Sequence, residues 1–262
     1  MSNAWVRCLS VRPQARVRLF CFPYAGAGAS VYRLWPGELS PAVEVWAVQL
    51  PGRETRLHEP ALTSMTAVVN GLMPALTPLL DRPFAFFGHS MGALVACELA
   101  RSLQLQGRCE PALLMLSARR SPSVPDTDPP IHRLGHDDFV TEVDRRYGGI
   151  PKEVKAHREL MELLVPALQA DMAVVETHRH ALLPLLNSPM HVFGGDADSR
   201  TRREDLQAWE ATTCGAFRLT MLAGDHFFIN SQRSHLLALV SESLRPVVAQ
   251  TNDSWEIGRA HV

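Results

Sequence analysis

The sequence predicts an α/β fold in which a mostly parallel β-sheet carries helices on both faces. Short apolar segments alternate with longer segments of helical periodicity along the 262 residues. The apolar segments also carry apolar residues at consecutive positions, as strands do when both of their faces are buried. Since a chain of this length can bury one large core, we expect a single domain.

The individual elements follow from these two periodicities. Six apolar segments are predicted to be strands: residues 17–22, 43–49, 83–87, 112–117, 190–193 and 217–222. Five longer segments with an apolar stripe are predicted to be helices: residues 65–80, 91–106, 154–173, 203–212 and 233–248.

One stretch of the chain is longer than the sheet requires. Between the fourth and fifth predicted strands, at about residues 119–185, we expect an insertion that has its own helices from Asp137 onward. It would lie over the carboxyl edge of the sheet, where open α/β folds bind ligands, so we interpret it as a lid. The alternative is a helical subdomain without a role in access. Residues 1–250 are then one domain, and residues 251–262 are predicted to be a disordered or non-native tail.

Composition excludes several classes of function. The formal net charge is −1, which argues against nucleic acid or a membrane surface as a partner found by bulk electrostatics. No apolar segment is long enough to span a membrane. The five cysteines are odd in number and lack metal-ligand spacing, so we expect buried thiols in a reducing cytoplasm and no metal site. We also expect a monomer.

The first motif with chemical content is Gly88-His-Ser-Met-Gly92, which joins the predicted strand 83–87 to the predicted helix 91–106. A G-x-S-x-G pentapeptide is weak evidence by itself. A serine on a sharp strand-to-helix turn is stronger evidence, because the turn needs small flanking residues and exposes the hydroxyl above the sheet. The motif therefore predicts a nucleophile, Ser90, on the elbow of an α/β-hydrolase fold.

A serine nucleophile needs a base and an acid, which follow it in this fold in the order Asp or Glu, then His. His226 follows the predicted strand 217–222 and is the candidate base. Asp196 and Asp198 both follow the predicted strand 190–193. We favour Asp198 as the acid, since Asp196 lies nearer the strand and suits hydrogen bonds to the amides of its own loop. Asp225 is interpreted as a loop residue.

Two further turns lie at the same edge of the sheet. Small residues follow the first predicted strand at 22–28, where the amide of Ala25 is a candidate donor to an oxyanion beside the amide of Met91. The charged turn 50–56, with Glu59, is interpreted as pinned by an Arg–Glu pair. Contact with an anionic arm of the substrate is the alternative.

Taken in order, the motifs resemble the stand-alone type II thioesterases of polyketide and nonribosomal peptide synthases. The resemblance covers about residues 15–248 and is carried by seven segments: 22–28, 49–54, 88–92, 148–151, 166–171, 194–198 and 224–228. It implies hydrolysis of acyl groups from the phosphopantetheine thiol of acyl or peptidyl carrier proteins, often as an editing step. No metal or organic cofactor is implied.

The resemblance assigns Ser90, Asp198 and His226 as the catalytic triad, and the amides of Ala25 and Met91 as the oxyanion hole. Departures from the family pattern occur at Ala27 in the first turn and at Gln169 and His178 in the insertion. The latter two bear on acyl preference. The alternatives are a medium-chain thioesterase of fatty acid synthesis, a small-molecule carboxylesterase, and a catalytically inactive carrier-binding protein.

Overall fold

A computed structural model describes residues 3–150, 152–181 and 183–259, which form one twisted sheet flanked by helices. The described strands are β1 (Val6–Cys8), β2 (Val17–Phe22), β3 (Val43–Val48), β4 (Phe84–His89), β5 (Leu113–Ser117), β6 (Met190–Gly195) and β7 (Phe217–Leu222). Their order across the sheet is β1-β3-β2-β4-β5-β6-β7. Every neighbouring pair is parallel except β1 with β3, so the predicted fold class is confirmed.

Helices connect these strands on both sides. They are α1 (Trp35–Glu38), α2 (Met65–Leu76), α3 (Met91–Leu105), α4 (His136–Tyr147), α5 (Lys152–Lys155), α6 (Arg158–Thr177), α7 (Arg203–Gln207), α8 (Phe228–Ser231) and α9 (Arg233–Arg259). Short 3-10 turns at Thr77–Leu79 and Ala208–Thr212 complete two of the predicted helices.

The structure corrects the prediction in two places. The antiparallel edge strand β1 was not predicted, since three residues give no recognisable period. The helix predicted at 154–173 is instead two helices. His157 has an extended backbone and caps α6, which then continues four residues past the predicted end, to Thr177.

The sheet separates two hydrophobic cores, and this explains the consecutive apolar positions in the strands. Phe20 and Phe22 of β2 face the core under α2 and α3, whereas Leu19 and Cys21 face the core under α9. The edge strand β7 differs from the prediction, because most of its side chains are only half-buried. Among the cysteines, Cys21 and Cys97 are buried as expected, while Cys109 and Cys214 are exposed.

The insertion (residues 119–185) contains α4, α5 and α6 and packs around a third, smaller cluster. Its buried members are Ile131, Phe139, Val143, Met161, Val165 and Met172. The partly buried Ala25, from the turn after β2, packs against this cluster and so joins the insertion to the carboxyl edge of the sheet.

The last helix, α9, runs to Arg259 and so enters the segment 251–262 that we expected to lie outside the fold. Residues 260–262 fall outside the described residues, and the non-native origin of this segment stays a prediction. Within the described residues, no helix combines the length and the apolarity needed to cross a membrane.

Candidate active site

Ser90 occupies a strained turn between β4 and α3. Its φ of +54° lies in the left-handed region, which non-glycine residues avoid. The turn requires glycine on both sides. A Cβ at Gly88 would meet the carbonyl oxygen of Gly92 at 2.1 Å, and one at Gly92 would meet that of Phe22 at 2.0 Å. The Ser90 amide donates to the carbonyl of Ser117 on β5, at 2.8 Å, and fixes the turn to the sheet.

The structure brings Ser90, His226 and Asp198 into one hydrogen-bonded row. The Oγ of Ser90 lies 3.0 Å from Nε2 of His226, and Nδ1 of His226 lies 2.8 Å from Oδ2 of Asp198. His226 and Asp198 are buried, at 5% and 7% exposure. The row therefore has the geometry in which a carboxylate orients an imidazole toward a hydroxyl.

Asp198 is held as a carboxylate by its surroundings. Burial would raise the pKa of Asp198, but hydrogen bonds from His226, from Thr201 Oγ1 at 2.7 Å and from the Arg200 amide at 2.8 Å outweigh it, so the pKa is lowered. The charged form is therefore the stable one, and it fixes the Nδ1–H tautomer of His226.

The other two aspartates of these loops, Asp196 and Asp225, accept hydrogen bonds from backbone amides. Asp196 accepts from the Gly224 amide at 3.0 Å and so ties the loop after β6 to the loop that carries His226. Asp225 accepts from the Phe227 amide at 2.8 Å, within its own loop. Neither of these contacts reaches the side chain of Ser90 or His226. Asp225 bonds within its own loop, as interpreted, whereas the amide bound by Asp196 lies on a different loop, and not on its own loop as was expected.

His89, inside the motif of Ser90, packs against this row, with its ring centroid 5.6 Å from that of His226. It is fully buried, and its Nε2 lies 2.9 Å from the carbonyl oxygen of His226 while its Nδ1 lies 2.9 Å from Ser117 Oγ. Burial, followed by the neighbouring imidazole of His226, lowers the pKa of His89 to about 3. A neutral ring can donate from Nε2 and accept at Nδ1, so His89 fixes the backbone of His226.

The turn after β2 presents the Ala25 amide beside Ser90. The Gly26 amide donates to Asp171 Oδ2 at 2.7 Å, and the Ala27 amide donates to the carbonyl of Tyr24 at 3.1 Å. Within the part of the chain that the structure describes, the amides of Ala25 and Met91 donate to no protein acceptor. Both residues line the cavity that also contains Ser90. Two donors are thus available there to an oxygen on a bound molecule.

A buried ion pair that the sequence did not predict links this turn to the insertion. Asp171 of α6 binds Arg53 through both oxygens, with a distance of 2.9 Å between Arg53 Nη2 and Asp171 Oδ1. Both side chains are almost completely buried. Within the charged turn itself, Arg56 pairs with Glu59 at 2.6 Å, which agrees with the predicted pinning by an Arg–Glu pair. Asp171 lies in the segment 166–171, and the family resemblance of that segment is the one feature of the sequence that could have indicated its importance.

The insertion covers an apolar cavity beside Ser90. Helices α4 and α6 and the loop between α4 and α5 contribute its apolar side chains: Val143, Ile150, Leu168, Met172 and Val175. Tyr147 also lines the cavity, and its ring centroid lies 5.3 Å from that of His226. Pro151, the end of the segment 148–151, falls outside the described residues.

Gln169 and His178, the two residues of the insertion that depart from the family pattern, contact other parts of the protein. Gln169 donates from Nε2 to the carbonyl of Leu134 at 2.9 Å, which joins α6 to the segment before α4. His178 Nε2 lies 3.2 Å from Glu98 Oε1 on α3. Neither side chain is among the residues that line the apolar cavity.

One group among the described residues has the composition of a metal site. Ligand atoms of Cys97, Glu98 and His180 lie within 4.8 Å of one another. However, Glu98 already pairs with His180 Nδ1, and the guanidinium of Arg101 lies 3.0 Å from Nε2 of the same ring. A fixed cation at this distance opposes the binding of a second one, so the cluster is better explained as a contact between α3 and the insertion.

Comparisons with known proteins decide the family. The Thioesterase domain family matches residues 17–244. The chain belongs to the thioesterase family. The resemblance that the motifs predicted is confirmed.

The similar proteins include ones named for gramicidin and for the borrelidin biosynthetic cluster. The thioesterase is 38% identical over 246 residues to the protein named linear gramicidin dehydrogenase LgrE of Brevibacillus parabrevis, covering 93% of each chain. It is 36% identical over 247 residues to the gramicidin S biosynthesis protein GrsT of Aneurinibacillus migulanus, covering 94% of this chain and 96% of that one. The solved structure of BorB, a type II thioesterase from the borrelidin cluster, matches with a TM-score of 0.83 at 34% identity, covering 94% and 98%.

One of these names describes a dehydrogenase, but the first turn of this thioesterase is unlike a dinucleotide-binding turn. That turn has the pattern G-x-G-x-x-G/A, and its amides hold the pyrophosphate. Here Val31 occupies the last position of the pattern. The amide of Gly26 donates to Asp171 and the amide of Ser30 donates to Glu54 at 3.2 Å. Carboxylates of the protein therefore occupy the donors that a pyrophosphate would need.

Proposed function

We propose that this thioesterase hydrolyses acyl groups from the phosphopantetheine arm of acyl or peptidyl carrier proteins, as an editing enzyme of a polyketide or nonribosomal peptide synthase. The row of Ser90, His226 and Asp198 carries the proposal. It combines a strained serine, an imidazole 3.0 Å from the serine hydroxyl and a buried carboxylate 2.8 Å beyond the imidazole.

The reaction begins with attack of Ser90 Oγ on the thioester carbonyl carbon. His226 Nε2 takes the hydroxyl proton, and Asp198 stabilises the resulting imidazolium through Nδ1–H. The carbonyl oxygen becomes an oxyanion, which accepts from the amides of Ala25 and Met91. The Met91 amide lies at the N-terminus of α3, where the helix dipole also favours negative charge.

Collapse of this intermediate breaks the carbon–sulfur bond, and the proton on His226 passes to the leaving thiol. Water then enters, gives a proton to His226 and attacks the acyl-serine ester. A second oxyanion forms in the same place, and its collapse returns the proton to Ser90 and releases the free acid. No step needs a metal or an organic cofactor.

The insertion acts as the lid of this site in our proposal. Its helices supply most of the apolar wall beside Ser90, so the acyl chain is sheltered from water while it reacts. We further propose that the enzyme works as a cytoplasmic monomer whose partner is the carrier protein. The pathway names of LgrE, GrsT and BorB support a synthase substrate over a fatty acid synthase or a simple ester.

A direct test compares the wild type with Ser90→Ala on an acyl-loaded carrier protein. We expect the variant to lose at least a thousandfold in kcat, because the nucleophile is absent while the oxyanion donors remain. Release of free acid, followed by mass spectrometry of the carrier, is the measurement. Wild-type turnover by the Ser90→Ala variant would refute the mechanism.

A second measurement separates an enzyme from a carrier-binding protein. A fluorophosphonate probe should label Ser90 in the wild type and leave the Ser90→Ala variant unlabelled. The panel of substrates includes carriers from a synthase, carriers from a fatty acid synthase and simple oxyesters of the same acyl group. A higher kcat/KM on the oxyesters would contradict the proposed substrate class.

A further inference from the structure

A second cleft, which has several charged side chains in its lining, shares Arg119, Tyr147, Met172 and Val175 with the apolar cavity beside Ser90. It is formed by the segment 119–130 and by the end of α6 with the residues after it. A smaller space borders Ser90 and His226 as well as Arg119. The cleft therefore approaches the reacting groups by a route that differs from the apolar cavity in its chemistry.

The acidic side chains of the cleft are already paired. Asp126 lies 3.5 Å from Nη1 of Arg120, and Asp128 binds Arg200. These contacts neutralise two of the arginines near Ser90.

Glu176, the remaining acid of the cleft, is occupied as well. Its Oε2 lies 2.6 Å from Nδ1 of His132, and the carboxylate accepts from the amides of Ile131 and His132 at 3.0 Å. Arg146 in turn binds Glu142 outside the cleft, at 3.0 Å. The three carboxylates of the cleft are therefore already bound by neighbouring cations and amides of the protein.

Arg119 has no carboxylate partner within the described residues, and its Nε is buried without an acceptor. The backbone holds it firmly, because the preceding Ala118 has a φ of +51° and the carbonyl of Arg119 accepts from Trp209 Nε1 at 2.7 Å. Burial lowers the pKa of Arg119 from its usual range. A cation in this environment is incomplete without an oxygen acceptor from a ligand.

Arg179 is the second cation of the cleft without a carboxylate partner in the described part of the chain. It is exposed, and its guanidinium makes only a long contact of 3.5 Å with the carbonyl of His178. The cleft therefore has an unpaired cation at its buried end, beside the cavity of Ser90, and another at its exposed rim.

We propose that the cleft binds the phosphopantetheine arm, with Arg119 donating to the amide carbonyl nearest the thioester and Arg179 binding the phosphate. This assignment rests on the proposed function. The arm has its sulfur at one end, amide carbonyls along its length and an anionic phosphate at the other end. When the sulfur lies at Ser90, the polar arm extends along the cleft past Arg119 to Arg179, and the acyl chain lies in the apolar cavity. Guanidinium groups suit both acceptors.

The experiment uses three thioesters of one acyl group: those of N-acetylcysteamine, pantetheine and 4′-phosphopantetheine. The wild type should prefer the phosphopantetheine ester over the pantetheine ester. Arg179→Gln should lower this preference about three- to tenfold through KM, with a smaller effect at high salt. Arg119→Gln should lower kcat/KM about tenfold or more for all three esters, since each carries the first amide.

Matched variants separate binding from folding. Arg108→Gln removes an exposed arginine beyond the far end of α3 and should leave all three kcat/KM values unchanged. Arg119→Gln should melt at the wild-type temperature or above, because it removes an unpaired buried charge, and Arg119→Lys should recover part of the activity.

Two results would overturn the inference. One is an unchanged preference for the phosphate in Arg179→Gln. The other is an unchanged kcat/KM of Arg119→Gln on all three esters, whatever its melting temperature. Either result leaves the proposed function intact provided that hydrolysis still depends on Ser90. Hydrolysis by Ser90→Ala would instead refute the proposed function itself.

Discussion

The loops at the carboxyl edge of the sheet and the insertion above them are held in place by different interactions. At the edge, short hydrogen bonds join buried side chains to each other and to strands, as in the row from Ser90 to Asp198. The insertion has a small core of its own and three leucines of α6 that are exposed by 41–47%, namely Leu160, Leu163 and Leu164.

The contact between the two regions depends on a few buried charges. Asp171 binds Arg53 and the Gly26 amide, and Glu98 meets His178 and His180. The edge holds the candidate reacting groups, and we propose that the insertion controls what reaches them. Since Asp171 also fixes the turn that carries Ala25, the two roles meet at this residue.

The largest effect is expected at the edge, where Asp198 and Asp196 make a matched pair. Asp198→Asn should lower kcat about 10³- to 10⁴-fold, because the amide favours the wrong tautomer of His226. Asp196→Asn should stay within about fivefold, since its side-chain oxygen can still accept from the Gly224 amide. Steady-state rates on one acyl-carrier thioester give the comparison. A larger loss in Asp196→Asn would reverse the assignment of the acid.

The next largest effect is expected at the buried ion pair of Asp171 and Arg53, which joins the two regions. Asp171→Asn should lower the free energy of unfolding by about 3–5 kcal/mol, because Arg53 is left as a buried charge without its partner. It should also lower kcat, since the turn with Ala25 loses its anchor. Urea denaturation measures the first effect.

The control is Glu162→Gln on the same helix, which breaks an exposed pair with Arg158 and should change stability by less than about 1 kcal/mol. Equal effects would mean that the pair does not couple the regions.

Two buried histidines make stability depend on pH: His89 at the carboxyl edge of the sheet and His191 near the amino end of β6. Burial lowers the pKa of His89 to about 3, and burial together with Arg218 lowers that of His191 to about 4. The unfolded chain binds these protons near pH 6.5, whereas the folded protein binds them only near pH 3–4. Stability should therefore fall as the pH drops from 6.5 to 4, on the order of 2–5 kcal/mol in total.

Denaturation at pH 7, 5.5 and 4 measures this dependence. His191→Gln should flatten it, because the substituted side chain does not titrate. An unchanged slope in that variant, or a stability that is constant from pH 6.5 to 4, would contradict the expected neutral state of the two rings.

The smallest effect is expected on the exposed face of the insertion. Leu163→Gln should change the free energy of unfolding by no more than about 0.5 kcal/mol, because the side chain is 47% exposed. Val165→Ala, two residues along the same helix, removes a side chain that is 2% exposed and should cost about 2 kcal/mol. Similar losses in both variants, measured by thermal denaturation, would indicate that Leu163 is covered in solution.

Much of the edge region could be predicted because its chemistry is local. The turn of Ser90 needs glycines at fixed positions, and strand ends in a parallel sheet meet at one edge, so the loops with Asp198 and His226 follow from the strand pattern alone. The preference for Asp198 over Asp196 rested on spacing, and the observed hydrogen bonds agree with it.

The insertion was predicted less well. The break at His157 and the partner of Arg53 depend on contacts between residues far apart in the chain, and neither leaves a periodic signal. The contact of His89 leaves no such signal either, since its partner is the carbonyl of His226, 137 residues away.

The sequence by itself determined the six parallel strands, the elbow of Ser90 and the order of the reacting groups, because strand periodicity and the steric demands of a tight turn act over a few neighbouring residues. Beyond the local Arg–Glu pair of the charged turn, only the tertiary structure decided which charges are paired. Asp171 takes Arg53, the acids of the cleft take Arg120 and Arg200, and Arg119 is left without a carboxylate among the described residues. An electrostatic partner is chosen by distance and burial in the folded chain, and neither quantity is written in the order of the residues.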